Sequence, residues 1–163
     1  MFLKRIVRAV QVDPQLYSEA ASDKSVLGQA MIIAVLSSIA TGVGNAAGFP
    51  EKIPYLAMSA FLGLIVWAGS IYILGAKLFP EKGTKADILA LLRVAGFASA
   101  PALLRLLAYL PPFTVIVSAG AIIWMFGTMV IAVQQAFCYR NISRAFGVVI
   151  IGGLIYQWVL FQV

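Results

Sequence analysis

The chain has 163 residues, of which 62% are hydrophobic and only 11% are charged, whereas a soluble domain is roughly half apolar and a quarter charged. This composition excludes an ordinary water-soluble domain and places most of the surface against lipid. The net charge of +6 favours contact with anionic lipid head groups over nucleic acid, because the basic residues fall mostly between apolar blocks.

The first 25 residues predict a cytoplasmic, interfacial segment with a short amphipathic helix. Apolar side chains recur at helical spacing on one face of the first ten residues, which is typical of a helix at a membrane surface. They are Phe2, Leu3, Ile6, Val7 and Val10. We expect the basic residues of the opposite face, Lys4, Arg5 and Arg8, to contact lipid head groups. Asp13-Pro14 then predicts an N-cap followed by proline at the first position of a second short helix.

Five charge-poor blocks follow, and at about 1.5 Å per residue each approaches the ~30 Å needed to cross the hydrocarbon layer. We therefore predict an all-α polytopic membrane protein, a five-transmembrane-helix bundle in a single domain, 1–163. The predicted spans are approximately 26–47, 53–76, 88–110, 113–137 and 145–163.

The third span is the least regular, because it carries Arg93, Arg105 and the internal proline Pro101. Pro101 has no N–H for the carbonyl of Phe97, so we predict a kink at this position. For both arginines we favour snorkelling or lipid contact over conduction, because their long side chains can reach the nearer membrane surface.

The basic residues also predict the orientation in the membrane. Nine of the twelve Lys and Arg residues lie before the first span or in the loops after the second and fourth spans, whereas the loops of the other side carry only Lys52. Because loops rich in Lys and Arg stay in the cytoplasm, we predict a cytoplasmic N-terminus and, after five crossings, a C-terminus outside.

No residue pattern predicts catalysis, a cofactor or a metal site. The sequence has no P-loop, dinucleotide-binding or nucleophile-elbow motif. It also has no histidine, the commonest metal ligand and general base. The acidic residues lie outside the predicted spans or at their edges, and the single cysteine, Cys138, has no basic partner in the spans. We therefore interpret the protein as non-enzymatic.

Polar and small residues inside the spans have two interpretations. Gln134 and Gln135, near the end of the fourth span, could line a pore, but such a pair more often forms hydrogen bonds between packed helices. Glycines such as Gly44, Gly63 and Gly152 suit close helix contact, either within one bundle or between copies.

Three apolar stretches carry a resemblance to a known family. They are GFASAPALL (96–104), MVIAVQQA (129–136) and SRAFGVVII (143–151). Together with the basic amphipathic start, Asp13-Pro14 and the order of the five spans, they resemble the bacterial branch of the Yip1 family. The resemblance implies a five-helix bundle with a cytoplasmic N-terminus, and it implies no defined biochemical activity for bacterial members.

The resemblance does not extend to the partners of the eukaryotic branch, whose members act in early secretory membranes and associate with small Rab-type GTPases and with one another. Those members carry an Asp-Leu-Tyr-Gly-Pro motif, whereas this chain has Asp13-Pro14-Gln15-Leu16-Tyr17. Rab binding is therefore not carried over. The short chain without eukaryotic motifs favours a bacterial inner (plasma) membrane.

Two hypotheses for the function follow. The first is a non-enzymatic bundle that organises membrane or protein partners as a homo-oligomer or as an accessory subunit, with membrane lipids as further partners and no cofactor. The alternative is a small channel or transporter, in which the third helix around Pro101 and Arg93 and the glutamines of the fourth helix line a path.

Overall fold

The computed structural model describes residues 2–46, 48–84 and 87–160. In these ranges every regular element is helical, which confirms the predicted all-α class. Four helical stretches are long and apolar enough to cross a membrane, and they are Lys24–Asn45, Pro50–Leu78, Ile88–Tyr109 and Thr114–Phe137. Another apolar stretch, Ile142–Trp158, is shorter, so the count of five spans stays a prediction.

Two short helices precede these stretches. Helix α1 spans Phe2–Val10 and helix α2 spans Pro14–Ser22. Asp13 caps α2 as predicted: its carboxylate accepts a hydrogen bond from the Gln15 N–H at 2.9 Å, and proline occupies the start of the helix.

The apolar residues of α1 are divided between two surroundings. Leu3 and Val7 are exposed, while the others pack against the hydrophobic core, namely Phe2, Ile6 and Val10. The helix therefore presents one apolar surface to the bundle and another to its exterior.

The next two helices pack closely against each other. After a 3₁₀ turn at Lys24–Val26, helix α3 spans Leu27–Asn45, and helix α4 spans Ile53–Tyr72. A Cβ at Gly42 of α3 would lie 2.8 Å from the backbone nitrogen of Ala57 in α4. Only glycine permits this approach of two helix backbones.

The third span changes helix type at its proline. Helix α5 spans Ile88–Ala98 and continues as a 3₁₀ segment, Ala100–Tyr109. Because Pro101 donates no hydrogen bond, the α pattern cannot continue through it. The hydroxyl of Thr128 lies 2.8 Å from the carbonyl of Ala98 and 2.8 Å from that of Met125 in its own helix, so a neighbouring helix offers a shared donor to a backbone group at the change.

The last two helices are joined by a tight turn. Helix α6 spans Thr114–Phe137 and helix α7 spans Ile142–Leu160, so α7 begins before the predicted 145. The side chain of Asn141 causes this early start, because it accepts a hydrogen bond from the Ser143 N–H at 3.0 Å and caps the helix.

A π-helical segment, Ile73–Leu78, extends α4 and meets this turn. The hydroxyl of Tyr139 donates to the carbonyl of Gly75 at 2.8 Å. A Cβ at Gly75 would lie 2.7 Å from the Tyr139 hydroxyl oxygen, so glycine is required where the turn docks.

The third span is the centre of the bundle. In its most apolar window 67% of the residues are buried, against 22% for Pro50–Leu78 and 28% for Thr114–Phe137. Helices α2, α3, α4 and α6 all pack against it. Of its two arginines, Arg93 is buried and Arg105 is half-buried.

Candidate functional site

Arg93 lies on α5 and is almost completely buried, with 2% of its surface exposed. Its Nε donates to the carbonyl of Ala20 at 2.9 Å, and its Nη2 donates to the carbonyl of Ala21 at 2.5 Å. A carboxylate oxygen of Asp87 lies 3.5 Å from Nη2. The guanidinium is therefore enclosed by protein, which differs from the expected snorkelling or lipid contact.

The burial of Arg93 is explained by the C-terminal end of α2. The last carbonyls of a helix have no partner within that helix and carry a partial negative charge. Ala20 and Ala21 belong to this last turn. Arg93 therefore fastens α2 to the third span.

Two of the three cationic residues of α1, Arg5 and Arg8, are paired with side chains of the same chain. Arg8 donates from Nε to Asp13 at 2.6 Å and from both terminal nitrogens to Glu19 at 3.1 Å. These hydrogen bonds hold the pKa of both carboxyl groups below its usual value. Arg5 donates to the side chain of Gln29 at 2.8 Å, whereas Lys4 is exposed. Head-group contact by these three residues stays a prediction.

The α1–α2 pair is further held by two aromatic side chains. The buried Tyr17 hydroxyl donates to the carbonyl of Ala9 at 3.0 Å, and burial raises the pKa of Tyr17. The indole nitrogen of Trp124 in α6 donates to the carbonyl of Val10 at 2.8 Å. Both bonds end on carbonyls in the last turn of α1, and the Ala9 carbonyl also accepts from the Val12 N–H at 3.1 Å.

A cavity of about 100 Å³ lies between the third span and helices α3, α4, α6 and α7. Its lining is apolar except for a group of polar side chains and the indole of Trp67. These polar residues are Ser37, Ser38, Thr41, Ser99, Arg105 and Tyr156. Arg105 supplies the positive charge of the site.

Most hydroxyl groups around the cavity are engaged by their own helices. Ser38, Thr41 and Ser99 each donate to a backbone carbonyl three or four residues earlier, at 2.7–2.9 Å. The Ser37 hydroxyl and the Arg105 Nε are buried and have no hydrogen-bond partner among the described residues. The site therefore keeps two unused polar groups.

Among the described residues, Arg105 forms a hydrogen bond through one nitrogen. Its Nη2 donates to the side-chain oxygen of Asn45 at 3.2 Å, in an exposed position. Part of the guanidinium thus approaches the surface, as expected for snorkelling, while Nε stays inside. Within residues 2–46, 48–84 and 87–160, no carboxylate forms an ion pair with Arg105.

The structure separates the other residues that the sequence singled out. Arg93 and Pro101 do not line the cavity. Gln134 and Gln135 are half-buried near the end of α6 and also lie outside it. Of the candidate site residues predicted from the sequence, Arg105 is the one that the cavity includes.

Sequence reasoning missed the residues that line the cavity together with Arg105. Ser37 and Tyr156 lie 68 and 51 residues away in sequence, and the chain pattern gives no sign that they meet. A usable signal was present in the first span, where Ser37 and Thr41 stand one helical turn apart in a mostly apolar block. Among the residues described, no three His, Cys, Asp or Glu side chains cluster as metal ligands.

Comparison with known proteins identifies one family. A family model described as the Yip1 domain matches residues 10–161, nearly the whole chain. Searches of curated proteins and of solved structures found no match. The matched region includes α2 and all the longer helices, and it includes the cavity.

Proposed function

The chain belongs to the Yip1 domain family, and from this membership we propose a non-enzymatic integral membrane protein that organises membrane or protein partners. It does so as an oligomer or as an accessory subunit. The observation that carries the proposal is an open small-residue face on α6. Gly120 and Gly127 are exposed, and a Cβ at either would meet nothing within 4 Å.

These two glycines share one helix face with large exposed side chains. Ile116 is 75% exposed and Ile123 is 73% exposed, and spacings of three, four and seven residues keep all four positions on one side of α6. Small residues between such ridges let another helix approach in a membrane. This face suits a second copy of the chain or a helix of a membrane-protein partner.

The glycines that the sequence analysis singled out serve internal contacts instead. A Cβ at Gly44 would overlap the backbone carbonyl of Arg105, and one at Gly63 would lie 2.7 Å from the ring of Tyr156. A Cβ at Gly152 would lie 2.9 Å from Ile71. Because packing within one chain uses these positions, the α6 face is the better candidate for contact between chains.

Crosslinking in native membranes tests this assignment. We expect Gly120→Leu and Gly127→Leu to reduce recovery of the crosslinked oligomer or partner, because a leucine fills the face. Gly147→Leu is the matched control, since Gly147 on α7 also has open space around its Cβ position. A wild-type protein that runs as a monomer with no crosslinked partner would contradict the proposal.

We further propose five crossings, with the N-terminus in the cytoplasm of a bacterial cell and the C-terminus outside. At about 1.5 Å per residue, the 19 residues of α7 extend over ~28 Å, close to the thickness of the hydrocarbon layer. Arg144 donates to the carbonyl of Pro80 at 3.2 Å. This contact joins two of the predicted cytoplasmic loops at one end of the bundle.

The single cysteine allows this orientation to be tested without a substitution. Cys138 is exposed in the turn after α6. A membrane-impermeant maleimide is expected to label it in inverted inner-membrane vesicles and not in intact cells with a permeabilised outer membrane. Labelling of intact cells would reverse the orientation.

The alternative function, a small channel or transporter, is favoured by one observation. The cavity is lined by residues of both the third and the fourth spans, including Ser99, Arg105 and Met125. A transport role predicts flux of ions or small solutes into proteoliposomes above the rate in empty liposomes. Flux at the empty-liposome rate across a panel of solutes would remove this alternative.

A further inference from the structure

We propose that the cavity at Arg105 binds one phosphate-type oxyanion, carried either by a lipid head group or by a free phosphate ion. The site goes beyond the proposed organising function and does not depend on the α6 face. It rests on the unused donors, the unpaired charge and the size of the cavity.

Two buried donors line this cavity without an acceptor among the described residues. The Nε–H of Arg105 and the hydroxyl of Ser37 are buried and unpartnered, and Ser37 is only 2% exposed. Tyr156, whose side chain carries a further hydroxyl, lines the same cavity. Buried donors are normally satisfied, so this arrangement is typical of a site that receives an acceptor from outside the chain.

The charge of Arg105 selects an anion over a neutral acceptor. Asp87 forms an ion pair with Arg93, whereas no described carboxylate forms one with Arg105. The residues that line its cavity include no Asp or Glu. A cation held among apolar helices without a counter-charge is costly. A bound oxyanion supplies the missing charge, and guanidinium groups hold phosphate oxygens with directed, charge-assisted hydrogen bonds.

The size and position of the cavity fit a phosphate group. Its volume of about 100 Å³ is several times the ~15 Å³ that a single water needs by a comparable measure. Arg105 stands four residues before the end of the 3₁₀ segment at Tyr109, about 8 Å at the ~2.0 Å rise of this helix type. Within the predicted span 88–110, Arg105 therefore lies nearer to the end of the span than to its middle. Apolar side chains of Ile122 and Met125 on the same wall can accommodate an acyl chain.

Two binding measurements on the full chain separate the two sources of the anion. In the first, delipidated protein in an uncharged detergent is titrated with inorganic phosphate in a calorimeter. In the second, protein in the same detergent is incubated with phosphatidylglycerol, and native mass spectrometry measures the retained lipid. The variants are Arg105→Gln, Ser37→Ala and Tyr156→Phe, with Arg140→Gln as control, because Arg140 is an exposed arginine in the turn after α6.

We expect Arg105→Gln to weaken binding at least about tenfold, which corresponds to ~1.4 kcal/mol. Ser37→Ala and Tyr156→Phe should each weaken it by a smaller factor, and Arg140→Gln should bind like wild type. An Arg105-dependent signal with phosphatidylglycerol identifies a head group, and one with inorganic phosphate identifies a free ion.

The proposal is overturned if the wild-type protein binds neither inorganic phosphate nor phosphatidylglycerol, or if Arg105→Gln binds both like wild type. Should Arg105→Gln fail to give a monodisperse protein, the other two variants decide the question, because each removes one donor without changing the net charge. If Ser37→Ala and Tyr156→Phe then both bind phosphate and phosphatidylglycerol like wild type, the anion does not bind in this cavity.

Discussion

Arg93 and Arg105 lie twelve residues apart in the third span, yet the bundle treats them differently. Arg93 is closed in by the last carbonyls of α2 and by Asp87, which engage its Nε and Nη2. Arg105 has one exposed bond to Asn45 and faces a cavity with its Nε unpartnered. The difference teaches that the role of a charge inside a helix bundle is set by the backbone ends and side chains that reach it.

The largest loss of stability is expected when the buried charge of Arg93 is removed. Arg93→Met should lower the free energy of unfolding by about 3 kcal/mol, because it leaves the α2 carbonyls and Asp87 without their buried donor. Denaturant unfolding in detergent micelles measures the loss. Arg93→Lys should recover part of it, since it keeps the charge but not the fork of donors. A loss no larger than that of Arg105→Met would break the comparison.

A smaller effect is expected at the change of helix type between the two arginines. Thr128→Val should cost about 1 kcal/mol, because it removes the donor to the buried carbonyl of Ala98. Thr41→Val is the matched control, since the Thr41 hydroxyl donates to its own helix at Ser37. Denaturant unfolding measures both variants. An equal loss of stability would show that the hydrogen bond between helices stabilises the fold no more than a bond within one helix.

The free energy of unfolding of the anion-free protein should change little when the charge of Arg105 is removed. Arg105→Met is expected to shift the free energy of unfolding by less than about 1 kcal/mol in either direction, because replacing a half-buried charge that has no ion pair among the described residues by an apolar side chain offsets the lost bond to Asn45. Thermal unfolding in phosphate-free detergent buffer measures the shift. A loss of about 3 kcal/mol would place Arg105 in the same class as Arg93.

The smallest loss of stability is expected on acidification, and it should be confined to α1 and α2. The Arg8 guanidinium holds the pKa of Asp13 and Glu19 below the usual value. Such carboxylates stabilise the fold above their unfolded pKa of about 4 and lose this contribution as the pH falls through the folded value. The effect is small because solvent screens the cluster.

Hydrogen exchange with mass spectrometry measures this acid effect after correction for intrinsic rates. Peptides of α1 and α2 should lose protection below about pH 4, while the 3₁₀ segment that carries Arg105 should not change. Glu19→Gln should reduce the pH dependence. Greater protection of α1 and α2 on acidification would contradict the assigned role of Arg8.

The sequence predicted the elements of the fold better than the contacts of the site. The cap at Asp13 is local, because the donor it satisfies lies two residues away, and the structure confirms it. Arg93 was recognised as unusual, but its partners Ala20 and Ala21 are more than seventy residues distant. No chain pattern shows that the end of one helix will meet a particular side chain of another.

By itself, the sequence determined an all-helical membrane protein of the Yip1 family, because hydrophobic blocks, caps and prolines act through neighbours along the chain. Only the tertiary structure decided that α2 covers Arg93, and that Ser37 and Tyr156 meet Arg105 around a cavity. In these apolar helices, many side chains fit either lipid or protein. Which surroundings each one receives is settled when the helices pack and glycines such as Gly44 set how closely they approach.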